Sequence, residues 1–392
     1  MLSFDLLFKT FLKLGATAYG GPAIAGQMKK AIVKDLGWMK EPEFMQGLAL
    51  CQLIPGATFV MLATYIGYRL RGIWGAFICA VAFVIPAFIL LVVLSAIYFK
   101  WGALWFIQSL FRGLGAMVVA IVLNAFINFA KPIVKDWKIV LIAILSFFGF
   151  VWRLNAVLVF VIAAVLALVL RPSITGKAAP APASQASIRP AQKGRDELFL
   201  GALAALIGVI FAVCYEFNTQ LAYLALTLFK VGALAFGGGF TIISLIQYEV
   251  VDHFQWVSTK EFVDGIAMGQ VTPGPIMITA TFLGYKLAGF WGALMATIAI
   301  FSPAFFIVTL LIPHYDRLKG LEAVRKMEQG ILGSFIGMLG LVLYNFGRTT
   351  FVDMPSVLFA MVTFLALLKK FDLSYILLTG AILSILLFGF LL

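Results

Sequence analysis

Long apolar stretches separated by short polar turns fill almost the whole chain. They fall at roughly 2–25, 44–67, 73–99, 112–130, 138–152, 154–170, 198–216, 222–243, 262–285, 289–313, 329–347, 355–368 and 373–391. A helix crossing bilayer hydrocarbon needs about 20 apolar residues, so the pattern predicts an all-α polytopic membrane protein. The stretches over 138–170 and 355–391 read as pairs of shorter helices turning at Arg153 and at Lys369-Lys370. Residues 171–197 break the pattern. They are rich in Ala, Pro and Ser with scattered Lys and Arg, cannot build a core, and predict a flexible linker.

The linker divides the chain nearly in half, and the halves repeat. Residues 11–21 (FLKLGATAYGG) lie on 228–238 (LFKVGALAFGG) at a shift of 217. Trp38, Glu43 and the Gln52-x-x-Pro55-Gly56 motif lie on Trp256, Glu261 and Gln270-x-x-Pro273-Gly274 at a shift of 218. The shift returns to 217 for Gly67-Tyr-Arg-Leu-x-Gly-x-Trp-Gly-Ala76 and Gly284-Tyr-Lys-Leu-x-Gly-x-Trp-Gly-Ala293. Residues 198–216 have no counterpart. Basic residues mark cytoplasmic loops, and in the two halves they mark non-equivalent loops: Arg69, Arg71 and 131–138 against 314–328 and Lys369-Lys370. The expected fold is therefore two inverted-topology repeats of about six helical segments joined by an extra transmembrane helix. Its parts are an N-terminal repeat 1–170, a cytoplasmic linker 171–197, a connecting span 198–216 and an inverted repeat 217–392. The N-terminus then lies inside and the C-terminus outside. The segments 44–67 and 262–285 either span or form re-entrant hairpins turning at Pro-Gly.

Composition supports the membrane reading. The chain is 63% hydrophobic and 12% charged, against about 45–50% and about 25% for soluble domains. Its net charge of +12 reads as cytoplasmic loops and linker, not as a nucleic-acid surface. Three cysteines in apolar runs and two histidines in polar loops indicate neither disulfides nor a metal site. No cofactor is expected. The first residues carry Asp5 and lysines without a small-residue cleavage site, and read as mature chain. No GxxxxGK loop is present, and no His, Asp or Glu cluster at membrane depth suggests an enzyme.

The chemistry concentrates at four paired interruptions. Gly20-Gly21-Pro22 matches Gly237-Gly238-Gly239, and Pro55-Gly56 matches Pro273-Gly274. A helix restarting after such a break presents free N–H groups and partial positive charge, an anion-binding arrangement. The competing reading is a mere kink in a packed helix. Lys13 and Lys230 lie about two turns before Gly20 and Gly237, on the same face. Each is an anion ligand or a lysine snorkelling to headgroups. Gln52 and Gln270 precede the Pro-Gly breaks by one turn, and with Thr58, Thr272 and Thr279 they offer neutral donors, or else interhelical bonds. Arg69 and Lys286 read as interfacial anchors and the acidic residues as structural. Ser258 to Glu261 fits a capping box. Asp5, Glu216 and Asp264, the nearest offers of a proton-coupling carboxylate, all fall near predicted helix ends.

These motifs together resemble the long, two-domain form of the chromate ion transporter (CHR) family, over both repeats. The resemblance implies export of chromate, a tetrahedral dianion isosteric with sulfate, and chromate resistance in a bacterial inner membrane. Pro22 against Gly239 and Ala57 against Pro275 make the half-sites non-equivalent. The expected partners are a chromate- or sulfate-like oxyanion, the lipid bilayer and a second copy of the chain, with no nucleic acid. A sulfate carrier and a structural subunit of a membrane complex remain the alternatives.

Overall fold

The computed structural model describes residues 2–18, 22–170, 193–235, 239–312 and 322–389. Among these residues every regular element is helical. In the first repeat they are α1 (Phe4–Thr17), α2 (Pro22–Lys29) running into a π turn (Lys30–Asp35), α3 (Glu41–Leu53), α4 (Thr58–Trp101), α5 (Trp105–Ile133), α6 (Trp137–Val151) and α7 (Ala156–Leu170). Next comes α8 (Lys193–Phe217), which takes in the last residues of the expected linker; residues 171–192 of that linker lie outside the described residues. The second repeat supplies α9 (Thr219–Leu234), α10 (Gly239–Ile246) with a π turn (Gln247–His253), α11 (Thr259–Val271), a 3-10 turn (Ile276–Ile278) leading into α12 (Thr279–Leu311), α13 (Glu322–Thr350), α14 (Met354–Leu368) and α15 (Leu373–Gly389).

Local chemistry accounts for many of the ends. Ser3 and Asn218 accept the N–H groups of Leu6 and Leu221. Ser258 and Glu261 form a reciprocal capping box opening α11, with Glu261 N–H donating to Ser258 Oγ and Ser258 N–H to Glu261 Oε2. The apolar runs at 2–25 and 222–243 each prove to be two helices. The runs at 44–67 and 262–285 likewise divide at Pro-Gly, leaving α3 and α11 at 13 residues each. That is about 20 Å of helix, short of the ~30 Å hydrocarbon layer.

The register shifts of the repeat have structural causes. The second copy gains one residue between Lys230 and Trp256, and its π turn has 7 residues where the first has 6. A π turn absorbs an inserted residue without ending the helix. The second copy loses one residue after Pro-Gly, and there a 3-10 turn replaces α-helix. Three residues rising ~2.0 Å each cover the same length as four rising ~1.5 Å.

Both long helices after the Pro-Gly breaks fold back on themselves. The backbone leaves helical geometry at Arg71-Gly72 and at Ala288-Gly289, with Gly72 at φ 69° and Gly289 at φ 56°. Glycine reaches these angles at no steric cost. The limbs then meet at glycines, since a Cβ on Gly67 would collide with the Gly75 carbonyl, and one on Gly284 with that of Gly292.

The chain forms two compact units, each drawing on both repeats. The first holds residues 1–96, 178–239 and 272–319. In it α9 packs on α12 and α8 packs on α9. Gly15 of α1 lies against the Phe83 carbonyl and the equivalent Gly232 against that of Ile300, too close for any side chain. Along 196–217 of α8 Ile207 is the one buried residue and the rest are half-buried or exposed, as befits a helix facing lipid. The second unit holds residues 97–177, 240–271 and 320–392. There α5 of the first repeat packs on the α14–α15 pair of the second, and α13 of the second packs on the α6–α7 pair of the first. The two pairs turn through left-handed residues at equivalent positions, Arg153 (φ 57°) and Lys370 (φ 60°). Among the described residues, five helices are long and apolar enough to cross a membrane.

Candidate functional site

The Pro-Gly breaks sit in the first unit, and each is tied to the opposite repeat. Gly56 N–H donates to the Ala235 carbonyl (2.7 Å), and Gly274 N–H donates to the Ala18 carbonyl (2.8 Å). Ala18 and Ala235 are the residues on which α1 and α9 end. Each Pro-Gly break of one repeat therefore lies against the end of the other repeat's first helix. The relation is reciprocal, as between parts related by a two-fold axis.

Glycine is required at the crossings. Gly56 and Gly274 adopt φ 133° and φ 109°. A Cβ on Gly56 would press on Met61 Sδ (3.1 Å) and Ala304 Cα (3.3 Å), and one on Gly274 on Ala87 Cβ (3.0 Å). Ala87 and Ala304 are themselves equivalent. The amides of Gly56 and Gly274 are thus occupied and are not the free donors expected at a restarting helix. The amides without an acceptor among the described residues lie just beyond. Met61 N–H returns to the Ala57 carbonyl (2.8 Å), which leaves Thr58, Phe59 and Val60 in the first turn of α4 without an intrahelical acceptor.

The other predicted residues divide. Pro55 and Thr58 are half-buried, while Thr272, Pro273 and Gly274 are buried. Thr279 is buried and donates to the Ile276 carbonyl (3.0 Å), so its hydroxyl serves the turn. Lys13 is exposed on α1 and Lys230 half-buried on α9. Gln52 is exposed. Gln270, 6% exposed, falls in the second unit, and its Nε2 has no hydrogen-bond partner among the described residues. Gly239 opens α10. Gly20, Gly21, Gly237 and Gly238 lie outside the described residues, and so do Arg317 and Lys319 of the basic 314–328 loop.

Two findings differ from the sequence reading. Arg69 is no simple interfacial anchor. It is largely buried and paired with Glu43, its Nε donating to Glu43 Oε1 at 2.6 Å. Asp264 lies inside α11 and is 3% exposed, not at a helix end. The carbonyls of Ala18 and Ala235 were missed because a backbone acceptor leaves no mark on residue type. The repeated small residues before Gly-Gly were the available signal.

An all-helical chain with these spans and paired breaks is a polytopic membrane transport protein, and comparison with known proteins agrees. The profile of the chromate transporter family matches residues 6–169 and again residues 222–385. A chromate transport protein of Cupriavidus metallidurans is 32% identical over 368 residues, covering 93% of this chain and 88% of the relative. An uncharacterised transporter of Methanocaldococcus jannaschii is 34% identical over 382 residues, 96% of this chain and 93% of the relative. A probable chromate transport protein of Synechococcus elongatus is 29% identical over 374 residues, 93% and 90% respectively. No solved structure matches. The chain belongs to the chromate transporter family, a family of membrane transporters and not of enzymes.

Proposed function

We propose that this protein is a secondary transporter that exports chromate across a bacterial inner membrane. The anion binds near the midplane, at the crossed breaks around Pro55-Gly56 and Pro273-Gly274. The reciprocal hydrogen bonds of Gly56 to Ala235 and of Gly274 to Ala18 carry this reading. They tie each Pro-Gly break of a twofold-repeated chain to the end of the opposite repeat's first helix, and broken helices at a repeat interface are where such carriers bind their substrate. In the proposal the first-turn amides at Thr58–Val60 supply donors, the Thr58 and Thr272 hydroxyls flank them, and Lys13 and Lys230 supply positive charge. The two repeats have inverted topology, so that movement of one against the other exposes the site alternately to each side.

The test is chromate flux into proteoliposomes that contain this protein alone, with labelled sulfate as competitor. Chromate flux above that of empty vesicles is expected, and its absence under every imposed ion gradient rejects the reading. Sulfate moving faster than chromate assigns the same site to a sulfate carrier instead, since both are tetrahedral dianions of similar size.

A further inference from the structure

Asp264 is a buried carboxyl with no role in the anion site. It lies in the second unit, 3% exposed, and its one hydrogen bond among the described residues is from the Tyr98 hydroxyl at 2.8 Å. No cation lies within ion-pair distance of it among those residues. The nearest charges on its own helix are Lys260 and Glu261, one turn before it.

The elements packed on α11 are α5, α13, α15 and the π turn 247–253. Their charged groups are engaged elsewhere or contribute no bond to Asp264. Arg112 of α5 pairs with Asp353. Arg348 of α13 lies over the Tyr344 ring, while Lys326 and Glu328 stand at the far end of that helix. Tyr375 of α15 is exposed. In the π turn Asp252 accepts from Gln247, and Glu249 and His253 complete the set. On the α4 side Lys100 lies over the Trp101 ring, and Tyr98 itself is held edge-on by Phe99 and Phe111.

The repeat supplies an internal comparison. At a shift of 218 Asp264 falls on Gln46, between the equivalent pairs Phe44 with Phe262 and Gly47 with Gly265. Gln46 is one methylene longer and half-buried, and its amide cannot titrate. One repeat thus carries an ionisable group where the other carries its neutral counterpart. A neutral amide oxygen also accepts a tyrosine hydroxyl, so the hydrogen bond to Tyr98 does not by itself call for an ionisable group. A buried carboxyl with a single neutral donor is costly to keep charged. It exchanges its proton when the packing around it opens, which ties its protonation to conformation.

We propose that Asp264, positioned by Tyr98, is the proton-binding site that couples this transporter to a proton gradient, one proton site per chain. The carboxylate takes up a proton on one side of the membrane and gives it back on the other, with no bond other than O–H made or broken. This rests on the transport reading above and names its coupling ion.

The test uses full-length protein in proteoliposomes and separates two fluxes. One is chromate–chromate exchange at equal pH; the other is uphill chromate movement driven by pH gradients of either sign. Wild type should show both. In Asp264→Asn the gradient-driven flux should fall at least about tenfold while exchange stays within about twofold. Tyr98→Phe removes the one donor to the carboxylate, and should keep exchange and move the pH midpoint of gradient-driven flux upward. Asp264→Glu should restore gradient-driven flux, which checks the assignment should the Asn variant fail to fold. Gradient-driven flux surviving in Asp264→Asn overturns the proposal, as does wild-type exchange that responds to a sodium gradient but not to pH. A wild type without any exchange fails differently: it removes the transport reading itself.

Discussion

Lys13 and Lys230 occupy equivalent positions, yet one is exposed and the other half-buried. Both stand on the helices whose last carbonyls hold the opposite Pro-Gly break, within about 8 Å of axial rise from that end. Lys34, in the π turn after α2, is exposed and outside that arrangement. Lys13→Ala and Lys230→Ala should each weaken chromate binding more than Lys34→Ala, read as the half-saturating concentration for exchange. Equal effects from all three would mean a diffuse surface attraction. The crossing itself is tested at its glycines. Gly274→Ala places a Cβ against Ala87 at φ 109°, which should cost about 1–3 kcal/mol and lower the melting temperature in detergent. Gly26→Ala, where no atom lies near, should not. At this scale the interruptions were legible from Gly and Pro alone. That the break amides are already bonded was not, because their acceptors are carbonyls of alanines.

Among the elements, α14 shows how a short helix is anchored. Asp353 caps it by accepting Ser356 N–H at 2.8 Å, and the same carboxylate pairs with Arg112 on α5. Partial burial opposes ionisation of Asp353, but the Ser356 hydrogen bonds and the Arg112 charge outweigh it and hold the carboxyl below the usual range. A depressed folded-state pKa stabilises above the unfolded value, about 3.9, and the contribution is lost as pH falls through the folded value. Asp353→Ala should therefore cost about 1 kcal/mol near neutrality, seen as a lower melting temperature, and the gap from wild type should close in acid. A gap that persists in acid would mean the loss is packing, not charge and cap. Periodicity had revealed α14 and α15 as a short pair, because Lys369-Lys370 interrupts the apolar run. It had not divided 44–67, because hydropathy is blind to a two-residue break whose residues are themselves apolar. The one-residue register shifts were legible as numbers only. The π and 3-10 turns that absorb them show why they are tolerated.

The whole molecule shows one repeat serving the other in both compact units. In the first, each Pro-Gly break is held by the opposite repeat; in the second, each short helical pair is packed by the opposite repeat's long helix. Such reciprocity follows from a two-fold relation between the repeats, but it does not fix whether the axis lies in the membrane plane. That depends on which loops face the cytoplasm, and basic residues argue for inversion. The decisive helix is α14, whose 15 residues cover only about 22 Å. If it crosses, Val352 before it and Lys370 after it lie on opposite sides, with Lys370 on the side of the linker. Single cysteines at Ser184, Val352 and Lys370, in a chain with Cys51, Cys79 and Cys214 replaced, give three labelling patterns with a membrane-impermeant thiol reagent. Ser184→Cys and Lys370→Cys reacting from the cytoplasmic side, with Val352→Cys reacting only from outside, is the expected result for inverted repeats. All three reacting from one side would make α14 a non-crossing helix. The second repeat would then lose the parity that inverts it, and alternating access would need a different pair of moving parts.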